Sequence, residues 1–357
     1  MPKSIQRTLL FLMLSLALIA GCSSGTQATK QPPAPPAATS FPPTATEAPP
    51  TPSDTPIPSP TFTPTPTSLP PLTGSGGGVI AFTLLSRNNW YIQLMNADGS
   101  SQQRLDVGYK SYKGGYEPGW SPDGMKIVYQ NNGLWIADIA SGEVSPLPAK
   151  VTNRYVVKPA WSPDGEWIAF LNEDGFRGDI YLVKPDGSDL KRLTDSADIS
   201  RDGNLVWSPD GKQLAFSAER EGNIEIYVMG VQEAIKTING RQRQLTDTKA
   251  PTRNLVTSWS ADGSRLAFSS DRDGNTEIYL VNPDGSNVLR LTNNAAFDAA
   301  PAWSPDGKQI AFISNRDGET EIYAVNVEDA LQGAEARRLT DMPGEKAGPT
   351  WKPVLSP

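Results

Sequence analysis

The 357-residue chain contains no histidine and a single cysteine, Cys22. Histidine serves in most general acid-base catalysis near neutral pH, in Ser-His-Asp triads and in most zinc and copper sites, so the usual forms of these sites are excluded. The sequence also lacks a Gly-x-Ser-x-Gly nucleophile elbow and a Walker phosphate-binding loop. We therefore predict no catalytic site, no metal and no cofactor. Carboxylate-only chemistry, such as glycoside cleavage by an Asp/Glu pair, stays open as the catalytic alternative.

An excess of basic residues is also missing. The chain carries 32 lysines and arginines against 39 aspartates and glutamates, a net charge of −7. The segment before Val79 holds three basic and two acidic residues, which leaves 29 basic against 37 acidic residues in 79–357. Because nucleic-acid binding requires a basic surface, we predict no nucleic-acid partner. With one cysteine in the chain, the folded region must also be stable without a disulfide.

One apolar stretch, residues 9–20, follows Lys3 and Arg7. It is short for a membrane-spanning helix and is flanked as a secretion signal is, so we predict a signal peptide over residues 1–21. The Leu-Ile-Ala-Gly-Cys sequence at residues 18–22 resembles the bacterial lipobox, which implies a diacylglycerol on the Cys22 sulfur. Lipid chains contribute about 0.8 kcal/mol per buried methylene and so hold a protein to a membrane. The alternative is an ordinary signal peptide with an incidental cysteine.

Residues 23–78 are rich in proline, threonine and small residues, as in the Thr-Pro-Thr-Pro-Thr of residues 63–67. This composition buries too little apolar surface to fold and favours extended polyproline II structure. We predict that residues 22–78 consist of the lipidated cysteine and a disordered linker. This linker is predicted to separate the folded domain, residues 79–357, from the membrane.

Six tryptophans recur along the folded region at separations of 41, 46, 52, 44 and 48 residues. They are Trp120, Trp161, Trp207, Trp259, Trp303 and Trp351. The first five are followed by near-copies of Ser-Pro-Asp-Gly, in which proline suits the second position of a type I turn and glycine the fourth. This spacing indicates a repeat protein whose units bury their apolar faces against one another.

Each unit alternates short apolar runs with Asp-Gly turns. In the fourth unit the runs include Leu-Ala-Phe at residues 266–268, Glu-Ile-Tyr at 277–279 and Leu-Arg-Leu-Thr at 289–292. Runs of this length and composition predict strands and leave no room for helices. We label the four strands of a unit A to D, with A ending at the tryptophan. Four-stranded antiparallel units repeated radially form the blades of a β-propeller.

The two ends of the repeat region complement each other. Residues 79–100 match strands B and C without a strand A, and residues 349–351 match strand A alone. We therefore predict an all-β six-bladed propeller of four-stranded antiparallel blades, in which one blade is closed by both termini. This closure removes the exposed edges that an open array carries. An open all-β solenoid with capping units is the alternative.

The repeated Trp-Ser-Pro-Asp-Gly, Ile-Ala-Phe, Arg-Asp-Gly and Glu-Ile-Tyr segments are similar to those of the propeller domain of TolB and related WD-like repeat proteins. The resemblance covers residues 79–357. It implies a periplasmic or cell-envelope protein, because TolB belongs to the Tol-Pal envelope system. TolB carries an α/β domain ahead of its propeller, where this chain has its linker. Similar repeats form the non-catalytic propeller of prolyl-oligopeptidase-like enzymes.

Residues that recur in every unit are expected to serve the blade. Arginine and glutamate recur at equal spacing across the predicted B-to-C hairpins and predict cross-strand or turn ion pairs. The pairs are Arg220 with Glu225, Arg272 with Glu277, and Arg316 with Glu321. A ring of alternating charge around one channel mouth is the alternative. Residues 271–277 lack the ligand pattern of a calcium loop and predict a turn, and the repeat tryptophans predict packing between sheets.

Loops that break the repeat symmetry are candidates for a binding site. The predicted D-to-A connections before the first two repeat tryptophans are basic and aromatic. Because tyrosine offers rigid contact area with a polar tip, we predict a binding surface there for an anionic protein or glycan. Its residues are Tyr109, Lys110, Tyr112, Lys113, Tyr116, Arg154, Tyr155 and Lys158. Two ordinary polar loops are the alternative.

Together these features predict an extracytoplasmic protein that is lipid-anchored to the cell membrane or outer membrane and faces the periplasm or the cell surface. Its propeller is predicted to be a non-catalytic binding scaffold for an envelope protein or glycan. A carboxylate-dependent carbohydrate-active enzyme with its site in the propeller channel is the alternative. A purely structural spacer is a third hypothesis.

Overall fold

The computed structural model describes residues 78–105, 107, 117–147, 156–173, 177–195, 199–200, 204–249 and 251–354. Their strands form six blades, numbered I to V by the first five repeat tryptophans and VI for the blade that contains both ends of the domain. Blade VI begins the domain with β1 (Val79–Ser86), β2 (Asn89–Asn96) and β3 (Gln103–Leu105). The signal peptide and residues 22–77, which include Cys22 and all of the predicted linker except Gly78, lie outside the described residues, and their predicted roles stay predictions.

The next two blades follow in chain order. Blade I contains β4 (Gly119–Trp120), β5 (Lys126–Gln130), β6 (Leu134–Asp138) and β7 (Val144–Pro146). Blade II contains β8 (Val156–Trp161), β9 (Ile168–Glu173), β10 (Arg177–Val183) and β11 (Lys191–Arg192). In both blades every neighbouring pair of strands is antiparallel, as predicted.

Blade III departs from the repeat because its A strand is broken into two short pieces. Its strands are β12 (Ile199–Ser200), β13 (Val206–Trp207), β14 (Gln213–Arg220) and β15 (Asn223–Gly230), followed by helix α1 (Val231–Lys236) and β16 (Gln242–Gln244). The first piece pairs with β14 of its own blade and also with β10 of blade II. Blades II and III are therefore joined into one continuous sheet at this corner.

The last blades close the domain. Blade IV contains β17 (Asn254–Trp259), β18 (Leu266–Ser270), β19 (Glu277–Val281) and β20 (Leu289–Arg290). Blade V contains β21 (Asp298–Trp303), β22 (Gln309–Ser314), β23 (Glu321–Asn326), helix α2 (Val327–Leu331) and β24 (Arg337–Arg338). The last strand, β25 (Glu345–Trp351), completes blade VI.

The ring is sealed by its own two ends. Strand β25 pairs antiparallel with β1, with Ile80 opposite Trp351 and Ala81 opposite Thr350. The innermost strands β4, β8, β13, β17, β21 and β25 each contact the next around a complete circle. The predicted six-bladed propeller with one shared blade is therefore confirmed, and the open solenoid is not what forms.

Apolar side chains fill the spaces between blades. The buried residues form six hydrophobic clusters in the described part of the chain, and each cluster joins two adjacent blades. Because successive strand residues point to opposite faces of a sheet, each blade supplies side chains to the clusters on both of its sides. The phenylalanine that recurs in strand B is fully buried in five of the blades. Each buried ring contributes roughly 1.5–3 kcal/mol.

The repeat tryptophans pack between blades, as predicted, and three of them also form hydrogen bonds across the interface. The indole nitrogens of Trp120, Trp207 and Trp351 donate to backbone carbonyls of the preceding innermost strand, at 3.3, 3.2 and 3.0 Å. Each acceptor is the residue immediately before the neighbouring blade's own tryptophan. The recurring tryptophan therefore links blades near the ring axis in addition to filling space.

The tetrapeptide after the tryptophan forms the predicted β-turn. In blade II the Gly165 N–H donates to the Ser162 carbonyl at 2.9 Å, the bond that closes a four-residue turn. The Ser162 hydroxyl accepts from the Trp167 N–H at 2.9 Å and donates to Asp164 at 2.5 Å. The turn thus fixes the start of strand B. Gly165 has φ of +74°, which favours glycine at this position.

Two short helices occupy C-to-D connections, contrary to the expectation that the units hold no helix. Helix α2 overlaps the connection before β24, and Asn326 caps it by accepting from the Glu328 N–H at 3.0 Å. Helix α1 lies in the connection before β16. It forms because Val231 and Ala234 share one side of the helix and are buried in the cluster between blades II and III.

In blades IV and V the D-to-A connection and the B-to-C hairpin lie on one face of the ring, which we call the loop face. In blade V the Phe297 N–H of the connection donates to Asn315 of the hairpin at 2.8 Å. In blade IV the Arg253 N–H donates to Asp271 at 2.8 Å. Antiparallel strands place the A-to-B and C-to-D turns on the opposite face. Among the described residues no helix is long and apolar enough to span a bilayer.

Candidate functional site

Of the eight residues predicted to form the binding surface, the structure describes only Lys158. Tyr109, Lys110, Tyr112, Lys113, Tyr116, Arg154 and Tyr155 lie outside the described residues. Lys158 belongs to β8, the innermost strand of blade II, at a bulge between the register pairs of Val157 and Ala160. It therefore lies at the inner edge of the ring, next to blade I.

Lys158 forms an ion pair with Glu117 of blade I. The Lys158 Nζ atom lies 2.6 Å from Glu117 Oε1, and the Lys158 backbone N–H donates to Oε2 at 2.9 Å. The Glu117 carboxylate thus contacts both the ammonium group and the backbone N–H of Lys158. The two side chains are 16% and 32% exposed, respectively, so the pair is partly exposed to solvent.

The backbone at this pair is strained. Lys158 has φ of +56° before Pro159, and Glu117 has φ of +38° before Pro118. A residue before proline prefers extended structure, and a side chain in the left-handed region costs of order 1–3 kcal/mol. The same geometry recurs with Ala300 and Gly348, which also precede prolines. The bulge is therefore a property of the fold, whereas the charges belong to blades I and II.

A second group of carboxylates lies at or near the start of strand C in blades II to V. Glu277 accepts from the Thr292 hydroxyl at 2.5 Å and from the Asn294 N–H at 2.8 Å, and it pairs with Arg290 at 3.1 Å. Glu321 repeats the pattern with Thr340 and Arg338, and Asp179 repeats it with Thr194 and Arg192. Each carboxylate therefore ties strand C to strand D of its own blade.

These contacts correct the ion pairs predicted for the hairpins of blades IV and V. Glu277 and Glu321 pair with arginines of strand D, and Arg272 and Arg316 have other partners. Glu277 lies opposite Ser270 in the register, so Arg272 is beyond the strand end and does not reach it. Sequence spacing places two residues on one hairpin but does not determine which strand their side chains face.

The hairpin arginines instead cover the aromatic pairs of their blades. The Arg272 guanidinium lies 4.8 Å from the Tyr279 ring and donates to Asn254 at 2.7 Å. Arg316 lies 4.7 Å from Tyr323 and pairs with Asp298 at 2.9 Å. Burial lowers the pKa of Arg272 from its usual value. These arginines therefore fix the hairpin to the innermost strand and do not form a ring of free charge.

Two buried phenols complete this packing. Burial, and then the hydrogen bond to Asp273, raise the pKa of Tyr279 above its usual range. The Tyr279 hydroxyl donates to Asp273 at 2.5 Å.

The segment predicted to be a turn, residues 271–277, contains a turn in which the Gly274 N–H donates to the Asp271 carbonyl at 3.0 Å. No group of three or more acidic side chains in the described part of the chain is arranged to hold a metal.

The closed ring of four-stranded blades defines a six-bladed β-propeller. Residues 78–236 and 234–354 match the family model of the TolB beta propeller domain. These segments cover well over half of the chain, which therefore belongs to this family. The predicted six-bladed fold and the resemblance to the TolB propeller are both confirmed.

Individual relatives agree with the family match. An uncharacterized protein of Agrobacterium fabrum is 29% identical over 192 residues, which are 52% of this chain and 60% of that protein. The crystal structure of TolB from Acinetobacter baumannii is similar at a TM-score of 0.65 and 22% identity, covering 78% of this chain and 67% of that one. The structure of putative TolB from Agrobacterium tumefaciens gives 0.59 and 22%, covering 78% and 98%. At these identities the solved structures show a shared fold.

Proposed function

We propose that this protein is a cell-envelope lipoprotein whose propeller is a non-catalytic scaffold that binds a protein or glycan on its loop face. The observation that carries the proposal is the departure from repeat symmetry at blades I and II. There the left-handed position before proline holds a partly exposed Glu117–Lys158 pair, whereas the same position holds Ala300 and Gly348 in blades V and VI. Membership of the TolB propeller family supports a role in the envelope.

The residues that recur in the blades have structural partners and leave the asymmetric loops as the candidates for recognition. The repeat tryptophans pack between blades, and the turn serines and strand C carboxylates form hydrogen bonds within their own blades. A partner that is anionic and offers surface for stacking fits tyrosines and lysines on the connections before Trp120 and Trp161. The two connections lead into blades I and II, which are adjacent in the ring.

Pull-down of envelope proteins and glycan fragments tests the binding surface. Changing Tyr112, Lys113, Tyr155 and Lys158 together to alanine is expected to abolish retention of the partner. Changing Lys184 and Lys212 to alanine removes two cations from the opposite face and is expected to leave retention intact. A melting curve confirms that each variant still folds, since loss of the Lys158 pair costs some stability. Unchanged retention by the folded quadruple variant contradicts the proposal.

We further propose that Cys22 carries the lipid that anchors the protein, because the sequence before it resembles a lipobox. Mass spectrometry of the membrane fraction is expected to find a diacylglyceryl modification at this cysteine. Cys22→Ala is expected to abolish that modification and to prevent processing by the lipoprotein signal peptidase. An unmodified Cys22 in the mature membrane-bound protein overturns the anchor and leaves the binding proposal to its own experiment.

A further inference from the structure

Asparagine followed directly by glycine occurs twice in the chain, at Asn132–Gly133 and at Asn239–Gly240. Asparagine is a thermolabile residue. Its side-chain amide carbon is open to attack by the backbone nitrogen of the next residue, which closes a five-membered ring. A glycine at that place has no side chain to obstruct the attack. The two dipeptides therefore share the same local chemistry, and only their surroundings in the fold differ.

Hydrogen bonds hold the second dipeptide, which follows helix α1 in the C-to-D connection of blade III. Asn239 Oδ1 accepts from the Asp195 N–H at 2.7 Å, and the Asn239 N–H donates to the Leu193 carbonyl at 2.8 Å. The Gly240 N–H donates to the Thr237 carbonyl at 2.8 Å. Attack by the Gly240 nitrogen therefore requires that hydrogen bonds of both the nitrogen and the side-chain amide be broken.

The first dipeptide lies at the tip of the B-to-C hairpin of blade I, between β5 and β6. Asn132 is exposed, and its side chain forms no hydrogen bond with another described residue. Gly133 accepts from the Asn131 N–H at 2.9 Å through its carbonyl, whereas its own N–H has no partner in the described part of the chain. A Cβ atom placed on Gly133 would meet nothing within 4 Å apart from its neighbours in sequence. Both reacting groups are therefore unengaged.

The backbone around this site is nevertheless fixed. Asn132 has φ of +51°, in the left-handed region that asparagine enters more readily than most residues. The Trp135 indole donates to the Asn131 carbonyl at 2.9 Å and so holds the residue before the site. The hairpin thus presents the Asn132 side chain to solvent, where the side chain is free to rotate beside the Gly133 nitrogen.

We propose that Asn132 is a site of spontaneous deamidation in the folded protein and that the fold protects Asn239 from the same reaction. The Gly133 nitrogen loses its proton to hydroxide and bonds to the Asn132 Cγ atom, and the amide nitrogen takes up a proton and leaves as ammonia. Water then breaks one of the two C–N bonds of the succinimide ring and yields aspartate or isoaspartate. Water is the only co-reactant, and no oxidant or reductant is required. This proposal is independent of the proposed binding function.

The reaction changes the charge of the protein and preserves its fold. It replaces a neutral amide by a carboxyl group that is ionised at neutral pH, which makes the net charge of −7 more negative by one unit. The Asn132 side chain has no hydrogen bond to lose within the described residues, and isoaspartate lengthens only the backbone of the hairpin tip. The product is therefore expected to accumulate as a folded, more acidic form of the protein.

Peptide mass spectrometry of the full chain tests the proposal. The protein is incubated at about pH 8 and at about pH 5, where exposed carboxyls are largely ionised in both cases. Trypsin then releases residues 127–150 and 237–241, which carry one site each. Deamidation at Asn132 is expected to be at least about tenfold faster than at Asn239, because attack at Asn239 breaks additional hydrogen bonds. It is also expected to be faster at the higher pH, since the nitrogen reacts after losing its proton.

Two controls separate the effect of the fold from that of the dipeptide. In denaturant, both sites are expected to react at similar rates, because the protection of Asn239 comes from the folded structure. Asn132→Gln lengthens the side chain and disfavours the ring. This variant is expected to lose the acidic form seen by isoelectric focusing and to melt as the unmodified protein does.

Three outcomes overturn the proposal. Equal rates at Asn132 and Asn239 in the folded chain mean that the hydrogen bonds around Asn239 give no protection. An intact Asn132 in the folded chain, with reaction of both sites in denaturant, means that the hairpin keeps the amide away from the Gly133 nitrogen. An acidic form that persists in Asn132→Gln, with fragment ions that place the change at Asn131, assigns the reaction to the neighbouring residue.

Discussion

The side chain of Lys346 is fully buried at the interface between blades V and VI. Its ammonium group contacts Glu321 and donates to the carbonyls of Met342 and Gly344, so all three of its N–H bonds have acceptors. A buried lysine is tolerated only when its charge is paired and its donors are satisfied. Lys346 therefore fastens the closing strand β25 to the preceding blade.

Replacement of this lysine is expected to be severely destabilising. Lys346→Met keeps the length of the side chain but leaves Glu321 with one cation fewer and the carbonyls of Met342 and Gly344 without their ammonium donor. We expect the free energy of unfolding to fall by about 3–5 kcal/mol, measured by denaturant unfolding. Lys212→Met, at a side chain that is 78% exposed, serves as the control and is expected to change stability by less than about 0.5 kcal/mol. Equal effects of the two variants contradict this role.

The turn aspartates make the stability of the folded protein depend on pH in the acidic range. The hydrogen bond from the Ser260 hydroxyl, followed by that from the Ser264 N–H, lowers the pKa of Asp262 below its ordinary value of 3.8. A carboxyl with a lowered pKa in the folded state contributes stability above its unfolded pKa and loses it as the pH falls through the folded one. Asp123 and Asp210 in equivalent turns have lowered pKa values for the same reason.

Removal of one turn hydroxyl is expected to reduce this acid sensitivity. In Ser260→Ala the pKa of Asp262 moves back towards its ordinary value, so the variant is less stable than the unmodified protein at neutral pH. The difference is expected to shrink as the pH falls below about 4. Unfolding midpoints measured from about pH 5 to about pH 2 check this. Ser145→Ala, at an exposed serine of β7, is the control and is expected to show a constant offset, whereas a constant offset for Ser260→Ala contradicts the prediction.

Neighbouring blades touch where a C-to-D turn meets the D strand of the blade before it. Gly285 of blade IV has φ of +89°, and a Cβ atom placed there would lie 2.7 Å from the Leu245 carbonyl of blade III. Gly99 of blade VI makes the equivalent approach to Leu339 of blade V. The absence of a side chain thus permits a close backbone contact between two blades. Where helices α1 and α2 replace this turn, buried apolar side chains make the contact instead.

Two glycine variants separate backbone strain from this contact. Gly274 has φ of +110° but open space around it, so Gly274→Ala incurs only the cost of a left-handed side chain, roughly 1–2 kcal/mol. Gly285→Ala incurs that cost and also displaces the Leu245 carbonyl, so we expect a clearly larger loss. The free energies of unfolding of the two variants are compared directly. Equal losses contradict a close contact between blades III and IV.

The strands and turns are predictable from local sequence, whereas the long-range partners are not. The residue types of Trp-Ser-Pro-Asp-Gly are sufficient to predict a β-turn, and the Ile-Ala-Phe run has the length and composition of a strand. By contrast, Glu277 pairs with Arg290, thirteen residues later on another strand, and Lys346 pairs with Glu321 of a different blade. Register and blade packing determine these contacts, and spacing along the chain does not encode them. For the same reason Glu117 was not recognised as the partner of Lys158.

In the closed ring, each of the six interfaces between adjacent blades contributes to the stability of the domain. Each hydrophobic cluster joins two blades, so each blade depends on both of its neighbours. In an open array the two terminal sheets would expose an apolar face and an unpaired edge. Here β1 and β25 close the sheet of blade VI, and that blade connects blade V with blade I. The N-terminal and C-terminal ends of the domain are therefore as essential as its centre.

Removal of the closing strand is expected to disrupt the entire domain. Deletion of residues 345–357 takes away β25, the Lys346–Glu321 pair and the Trp351 ring, and it uncovers Ile80 and Phe82, both of which are 0% exposed in the ring. We expect the shortened protein to lose cooperative unfolding and to aggregate through the edge of β1, as seen by thermal melting with light scattering. Deletion of residues 354–357 alone leaves β25 paired and is expected to melt as the unmodified chain does. A soluble domain that still unfolds cooperatively without residues 345–357 would show that the blades are stable without the circle.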